Sequence, residues 1–179
     1  MAQFKAFAAG VEVNGETVLS VVAGLGQNKE AGLQVLEEHG INDPQPGQWY
    51  SQQAWLDAFR SIAQGMGPGA LRAIGRSIPS NAQWPPEVDT IEKGMASIDV
   101  AYHLNHRGGE IGYYRYEPAG PRSGKMVCRN PYPSDFDLGI IDAVAHKFAP
   151  PASFPVVRLD ETAPTRKSGA DSCTYWVSW

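Results

Sequence analysis

The hydrophobic period of this chain changes from about 3.6 to 2 along its length, and that change limits the folds open to it. Before residue 107 the apolar residues recur at helical spacing. Trp55, Phe59 and Ile62 sit at i, i+4 and i+7, and Ile91, Met95, Ile98 and Tyr102 share one helix face. Towards the C-terminus they alternate instead. Over residues 172–179, Cys173, Tyr175, Val177 and Trp179 point one way, while Thr174, Trp176 and Ser178 point the other. Helices early and strands late predict an α+β fold, with N-terminal helices packed on a C-terminal antiparallel β-sheet, and argue against alternating βαβ units.

Local signals mark the elements. A short strand is possible near the N-terminus, residues 11–15 read as a turn, and residues 16–23 can form a short helix. Asn28 can cap a second helix that Gly40 ends, Ser51 opens a third, and Pro68 suits the first turn of a fourth through Leu71 and Ile74. Thr90 starts a fifth, broken by Arg107-Gly108-Gly109. Strands are expected over residues 110–117, 125–129, 154–160 and 172–179, with a helix over 134–148. The Pro/Gly-rich joints between them look like turns within one domain, a reading that suits 179 residues.

Composition excludes several classes of function. The 19 acidic and 15 basic residues give a net charge of -4, and no Lys/Arg run could follow a phosphate backbone, so nucleic-acid binding is not expected. The longest apolar stretch, residues 18–25, is interrupted by Ser20 and Gly24 and falls well short of the ~20 residues that cross a bilayer. The first ten residues carry one Lys and no signal-peptide pattern, which makes the cytoplasm the default location. Cys128 and Cys173 are too few for a disulfide scaffold, although one bridge between them stays open.

Two segments concentrate chemistry. The stretch SIDVAYHLNHRGG gathers Asp99, His103, Asn105, His106 and Arg107 around one helix end. Asp99 and His103, four apart, can touch on a helix, which suits an acid–base pair, a haem or metal ligand with its supporting carboxylate, or a polar anchor for a ligand. The bland alternative is a pair of histidines stabilising the helix C-terminus and bonding loop carbonyls. In CRNPYPSDFDLGII, Ser134 and Asp137 are close to a capping box, with Phe136, Ile140, Ile141 and Val144 as the buried face. Free amides at that helix start, near Arg129 and Tyr132, could meet an anion. Neither CxxC, HExxH, GxSxG, a P-loop nor a strand–GxGxxG–helix occurs, so no reaction is named by motif.

The segments LEEHGI, WLDAF, ALRAIGRSIP, PYPSDFDLGII and DSCTYWVSW, in that order, resemble the 4-vinyl-reductase-like ligand-binding domains over about residues 30 to 179. That superfamily is similar in fold to haem-nitric-oxide-binding domains and to subunits of Golgi transport complexes. The resemblance implies helices on an antiparallel sheet with a mainly apolar pocket between them, often in a dimer, binding a hydrophobic or aromatic small molecule such as a tetrapyrrole or a phenol. Some relatives hold a structural zinc through three cysteines that map to Ser134, Thr165 and Cys173. Only Cys173 is a thiol, and one thiolate cannot make that tetrahedral site. The haem-binding relatives use a helix histidine and a Tyr-x-Ser-x-Arg segment. His103 or His106 could serve as the iron ligand, but the segment is missing, and Tyr114-Arg115-Tyr116 is only a loose echo.

The expected function is therefore a small-molecule-binding or sensory domain without a catalytic motif. Trp55, Phe59, Tyr102, Tyr114 and Trp176 are expected as pocket walls, and Asp99, His103, His106 and Arg107 as its polar end. Such a domain would signal through a separate partner chain or as a homodimer. The alternatives are an enzyme acting on a small organic substrate, with Asp99, His103 and His106 as acid–base groups, a haem-binding gas sensor, and a pure interaction module.

Overall fold

The computed structural model describes residues 3–179. The first strand, β1 (Glu12–Asn14), runs directly into α1 (Gly15–Gly24), and the Asn14 side chain caps the helix by accepting from the Thr17 N–H at 2.9 Å. After a 3-10 turn over Gly26–Asn28 come α2 (Lys29–Glu38), β2 (Trp49–Ser51), α3 (Gln52–Met66) and α4 (Pro68–Asn81). Pro68 occupies the start of α4, where its missing N–H costs nothing. Next follow α5 (Ile91–Leu104), capped by Thr90, and the two-residue strand β3 (His106–Arg107). The last third contains β4 (Tyr113–Gly120), β5 (Ser123–Arg129), α6 (Ser134–Lys147), β6 (Val156–Leu159) and β7 (Cys173–Ser178).

The expected α+β architecture is observed. The main sheet has the order β4-β5-β7-β6 and is antiparallel throughout, with Cys128 opposite Cys173, Met126 opposite Tyr175 and Gly124 opposite Val177. Those six residues are buried, so one face of the sheet is the inner one, and α5 and α6 cover it. The α6 helix also crosses α4 closely. A Cβ on Gly75 would run into the Phe136 carbonyl, and one on Gly139 into the Arg72 carbonyl, so glycine on both helices lets the two backbones touch.

The second sheet, β2-β1-β3, departs from expectation. Residues 11–15 read as a turn, yet Glu12 to Asn14 pair with Trp49 to Ser51 on one side, and Glu12 and Val13 pair with Arg107 and His106 on the other. Strands of two or three residues show no alternation, and their partners are distant in sequence. This small sheet positions the site, because pairing with buried Val13 turns His106 inward.

Candidate functional site

A cavity of about 80 Å³ lies between α4, α5, α6 and β4. Its walls include Ile78 and Pro79 from α4, Ile98 and Tyr102 from α5, Tyr114 from β4 and Phe136 from α6. Among the described residues, no Lys, Arg, Asp or Glu lines it. Three residues of its wall, Ala82, Trp84 and Ala101, also line a groove on the surface. The Trp84 ring packs edge-on against Phe148 and its Nε1 donates to the Pro79 carbonyl at 2.9 Å, which fixes the partition between cavity and groove.

Thr17, Asn105, His106 and Tyr132 bring polar groups to the wall of the cavity, and the last two are bonded to each other. His106 Nδ1 is 2.8 Å from the Tyr102 carbonyl and Nε2 is 2.7 Å from the Tyr132 hydroxyl. Burial pushes the imidazole down to about 4, with the bond to the Tyr102 carbonyl opposing, so it is neutral at pH 7. A carbonyl can only accept, so the proton sits on Nδ1, and the Tyr132 hydroxyl donates to Nε2. The Tyr102 hydroxyl in turn donates to the Ile111 carbonyl at 2.6 Å. The Tyr102 ring lies against His106, Tyr114 and Tyr132 at centroid distances of 4.5, 5.1 and 6.2 Å.

Of the residues expected at the site, Tyr102, His106 and Tyr114 line the cavity. Trp55 and Phe59 form the layer behind it. Phe59 packs edge-on against Trp55, Tyr132 and Phe136, the last two being walls. The other four do not line the cavity. The Asp99 carboxylate accepts from the Tyr114 N–H at 2.8 Å, and His103, its side chain 50% exposed, bonds the Asp99 carbonyl at 2.9 Å. The pair is therefore a helix-surface pair beside the cavity, and both histidines bond carbonyls one turn back within α5, where the bland reading expected loop carbonyls. Arg107 pairs with Glu12 at 2.6 Å and stacks over Trp49 at 4.3 Å. Trp176 lies on the outer face of the sheet, because Tyr175 and Val177 occupy the inner one. It sits under the Lys125 ammonium at 4.4 Å and donates to Asp160 at 3.1 Å.

Asp137, expected to complete a capping box, does something else. Pro133 is the N-cap of α6, and the completely buried Asp137 is ion-paired with the equally buried Arg166. Asp137 also accepts from the Tyr114 hydroxyl at 2.6 Å, and Arg166 donates to the Asn130 and Tyr132 carbonyls at 2.8 and 2.7 Å. Burial alone would push Arg166 down, but Asp137 outweighs it and holds the guanidinium charged. The three positions that a zinc site would use do converge: Ser134 Oγ is 3.3 Å from Cys173 Sγ, and Thr165 precedes Arg166, whose backbone N–H reaches the same sulfur at 3.3 Å. Arg166 Nε, 3.4 Å from that sulfur, brings a positive charge to this place. Arg129 is held by Glu110 at 3.1 Å, and the Tyr132 hydroxyl faces His106, so neither waits at the start of α6 for an anion.

Fold and site together define an α+β protein with a small apolar cavity between its helices and its sheet. No family model matches the chain, and no curated protein matches it. Solved structures do match. An H-NOX protein from S. oneidensis in the Fe(II) ligation state superposes with a TM-score of 0.70 at 13% identity, covering 92% of this chain and 95% of that one. An oxygen-binding H-NOX domain related to soluble guanylate cyclases gives 0.66 at 16% identity, over 92% and 94%. A structure concerned with haem redox potential and protein-induced porphyrin distortion gives 0.66 at 15% identity, over 93% and 99%. The chain thus has the fold of the haem-nitric-oxide-binding domains, and the sequence likeness is too low to carry more than the fold.

The side chains present do not fit a haem. The cavity is smaller than the roughly 150 Å³ void that accepts one benzene, whereas a porphyrin has four pyrrole rings. Both ring nitrogens of His106 are already bonded, His103 does not line the cavity, and among the described residues no Lys or Arg lines it to meet a propionate. Tyr102, Tyr114, Tyr132 and Phe136 pack into the space between the helices and the sheet.

Proposed function

We propose that residues 1–179 form one ligand-binding sensory domain of H-NOX-like fold that takes a small molecule directly into the apolar cavity. The observation that carries this is the cavity itself: a void in an otherwise packed core, walled by aromatic rings, with one neutral hydrogen-bonded pair, His106 and Tyr132, on its wall. Tyr102, His106 and Tyr114 are its binding residues, joined by Tyr132 and Phe136. The 4-vinyl-reductase-like assignment belongs to this proposal, supported by PYPSDFDLGII and DSCTYWVSW, which form the α6 and β7 pair beneath the cavity. A second copy of the chain or a separate protein would receive the signal. Among the described residues no helix is long and apolar enough to cross a membrane.

Likeness to haem proteins favours a second reading, a haem-based gas sensor, against which the small size of the cavity and the engaged His106 both argue. Asp99 and His103, outside the cavity, lend no support to acid–base catalysis on a bound substrate. The deciding experiment is an absorbance spectrum and a haemin titration of the purified protein, run beside thermal shifts with small apolar compounds. A ligand-dependent rise in melting temperature without a stoichiometric Soret band is expected. A one-to-one Soret complex lost on substituting His103 or His106 would establish the haem reading in its place.

A further inference from the structure

The two cysteines of the chain lie opposite each other in the main sheet. Cys128 of β5 pairs with Cys173 of β7 in the antiparallel register, both are free thiols, and both are fully buried on the inner face. Residues paired in this way have Cα atoms about 4.5 or 5.5 Å apart, within the range of about 4.4–6.8 Å that a disulfide spans. Their Cβ atoms stand about 4.5–5.5 Å apart, slightly more than the usual span of about 3.5–4.5 Å. A bond between them therefore closes with β5 and β7 drawn a little together, and is readily reduced again.

The surroundings of the two sulfurs differ. Cys173 Sγ is met by the Arg166 backbone N–H at 3.3 Å and by Arg166 Nε at 3.4 Å, with Ser134 Oγ at 3.3 Å. Two N–H donors suit a sulfur that carries negative charge, and the thiolate is the form that attacks an oxidant. Cys128 is placed the other way. Burial pushes its thiol well up and the nearby Asp137 carboxylate adds to the effect, so Cys128 keeps its proton. Complete burial of both sulfurs shuts out a bulky disulfide oxidant and leaves a small neutral one. The cavity can bring such a solute close, because Tyr114, one of its walls, is the neighbour of Cys128 on β4.

We propose that Cys128 and Cys173 form a reversible disulfide across β5 and β7 when the folded protein meets hydrogen peroxide. The Cys173 sulfur attacks one peroxide oxygen, the O–O bond breaks, and water leaves with the Cys173 proton, giving a sulfenic acid. The Cys128 sulfur then attacks Cys173 Sγ, the S–O bond breaks, and the hydroxyl leaves with the Cys128 proton as a second water. Two thiols lose two electrons, and one peroxide becomes two waters.

The test treats the folded whole chain with hydrogen peroxide, removes the excess with catalase, and unfolds the protein in N-ethylmaleimide before intact-mass and peptide mapping. The wild type is expected to lose both alkylation sites together, to yield one Cys128–Cys173 peptide, and to regain both thiols with dithiothreitol. C128A should stop at a sulfenic acid on Cys173 that dimedone traps, and C173A should leave Cys128 reduced. The wild-type map decides even if neither variant folds. Two thiols still alkylated after peroxide, an acid at one cysteine alone, or a disulfide between two chains would each overturn the inference. Oxidation by glutathione disulfide as fast as by peroxide would overturn the choice of oxidant. A rate that rises with urea in step with the unfolded fraction would overturn closure in the folded protein.

Discussion

Two buried polar regions share Tyr132 and are built in opposite ways. At its backbone, the Arg166 guanidinium takes the Tyr132 carbonyl at 2.7 Å, the Asn130 carbonyl at 2.8 Å and the Asp137 carboxylate, while Tyr114 and Asn130 complete Asp137. Around its side chain, His106 is satisfied, but Gln52 and Trp55 are not. The first region is closed and the second open. The difference teaches how a cavity wall is preorganised. A fully paired charge cluster fixes the backbone of Tyr132, so its phenol can hold a position beside unpaired groups that would otherwise rearrange.

Breaking the closed region should give the largest effect. In R166M the Asp137 carboxylate stays buried without its counter-ion, and removing one partner of such a pair costs about 3–5 kcal/mol. Urea unfolding should report that loss, while R166M/D137L, which leaves no lone charge, should recover much of it. If R166M alone unfolds no more easily than the wild type, the cluster is not what holds Tyr132.

Acid should attack the wall between the two regions. The folded pKa of His106, about 4, lies below the ordinary value of 6.5, so between these pH values the unfolded chain binds more protons and stability rises with pH. The contribution is fully present above pH 6.5 and is lost as pH falls towards 4, by about 3 kcal/mol at 1.36 kcal/mol per pH unit. H106Q cannot titrate, so its stability should fall less over the same window. Matching curves for the two proteins would mean that His106 is hydrated and charged in the fold.

Much of this arrangement was legible in the sequence. Of the expected helix starts, Ser51 and Thr90 each accept an N–H of the first turn, Asn28 makes no capping bond, and Asn14, read as part of a turn, caps α1; the strands of the main sheet showed through alternation. The small sheet was not, because three-residue strands carry no period. At the site, the inward face of α5 brings Tyr102 to the cavity and leaves the Asp99/His103 pair outside it: residues that follow Ile98 and Tyr102 by one position are turned by about 100°, towards solvent. Gln52 gave no sign at all. A glutamine at a helix start reads as surface, and only its burial by distant elements makes it exceptional.

The open region should respond in the opposite direction from the closed one. Q52L removes two buried polar atoms that have no partner and replaces them with a methyl pair of similar reach. Relief of an unsatisfied buried group contributes about 1–2 kcal/mol, so the variant should be more stable than the wild type. A destabilised Q52L would place Gln52 in the closed class, with an ordered water as its partner.

The smallest effect belongs to the outer face of the sheet. Trp176 is 40% exposed, with Lys125 over its ring and Asp160 at its indole nitrogen. An exposed contact between a cation and an aromatic ring contributes about 0.5–1 kcal/mol, so W176A should lose no more than that. The neighbouring Tyr175 points the other way, is fully buried and donates to the Ser134 carbonyl at 2.8 Å. Y175F should therefore destabilise more than W176A, despite deleting a single oxygen, because the Ser134 carbonyl loses its donor inside the core. Ligand binding adds an independent readout. W176A should leave the thermal shift given by small apolar compounds unchanged, since the whole thickness of the sheet separates its ring from the cavity. Weakened binding in W176A would move the site to the outer groove lined by Arg72, Arg158 and Trp176, and the contrast between closed and open walls would then describe the core alone.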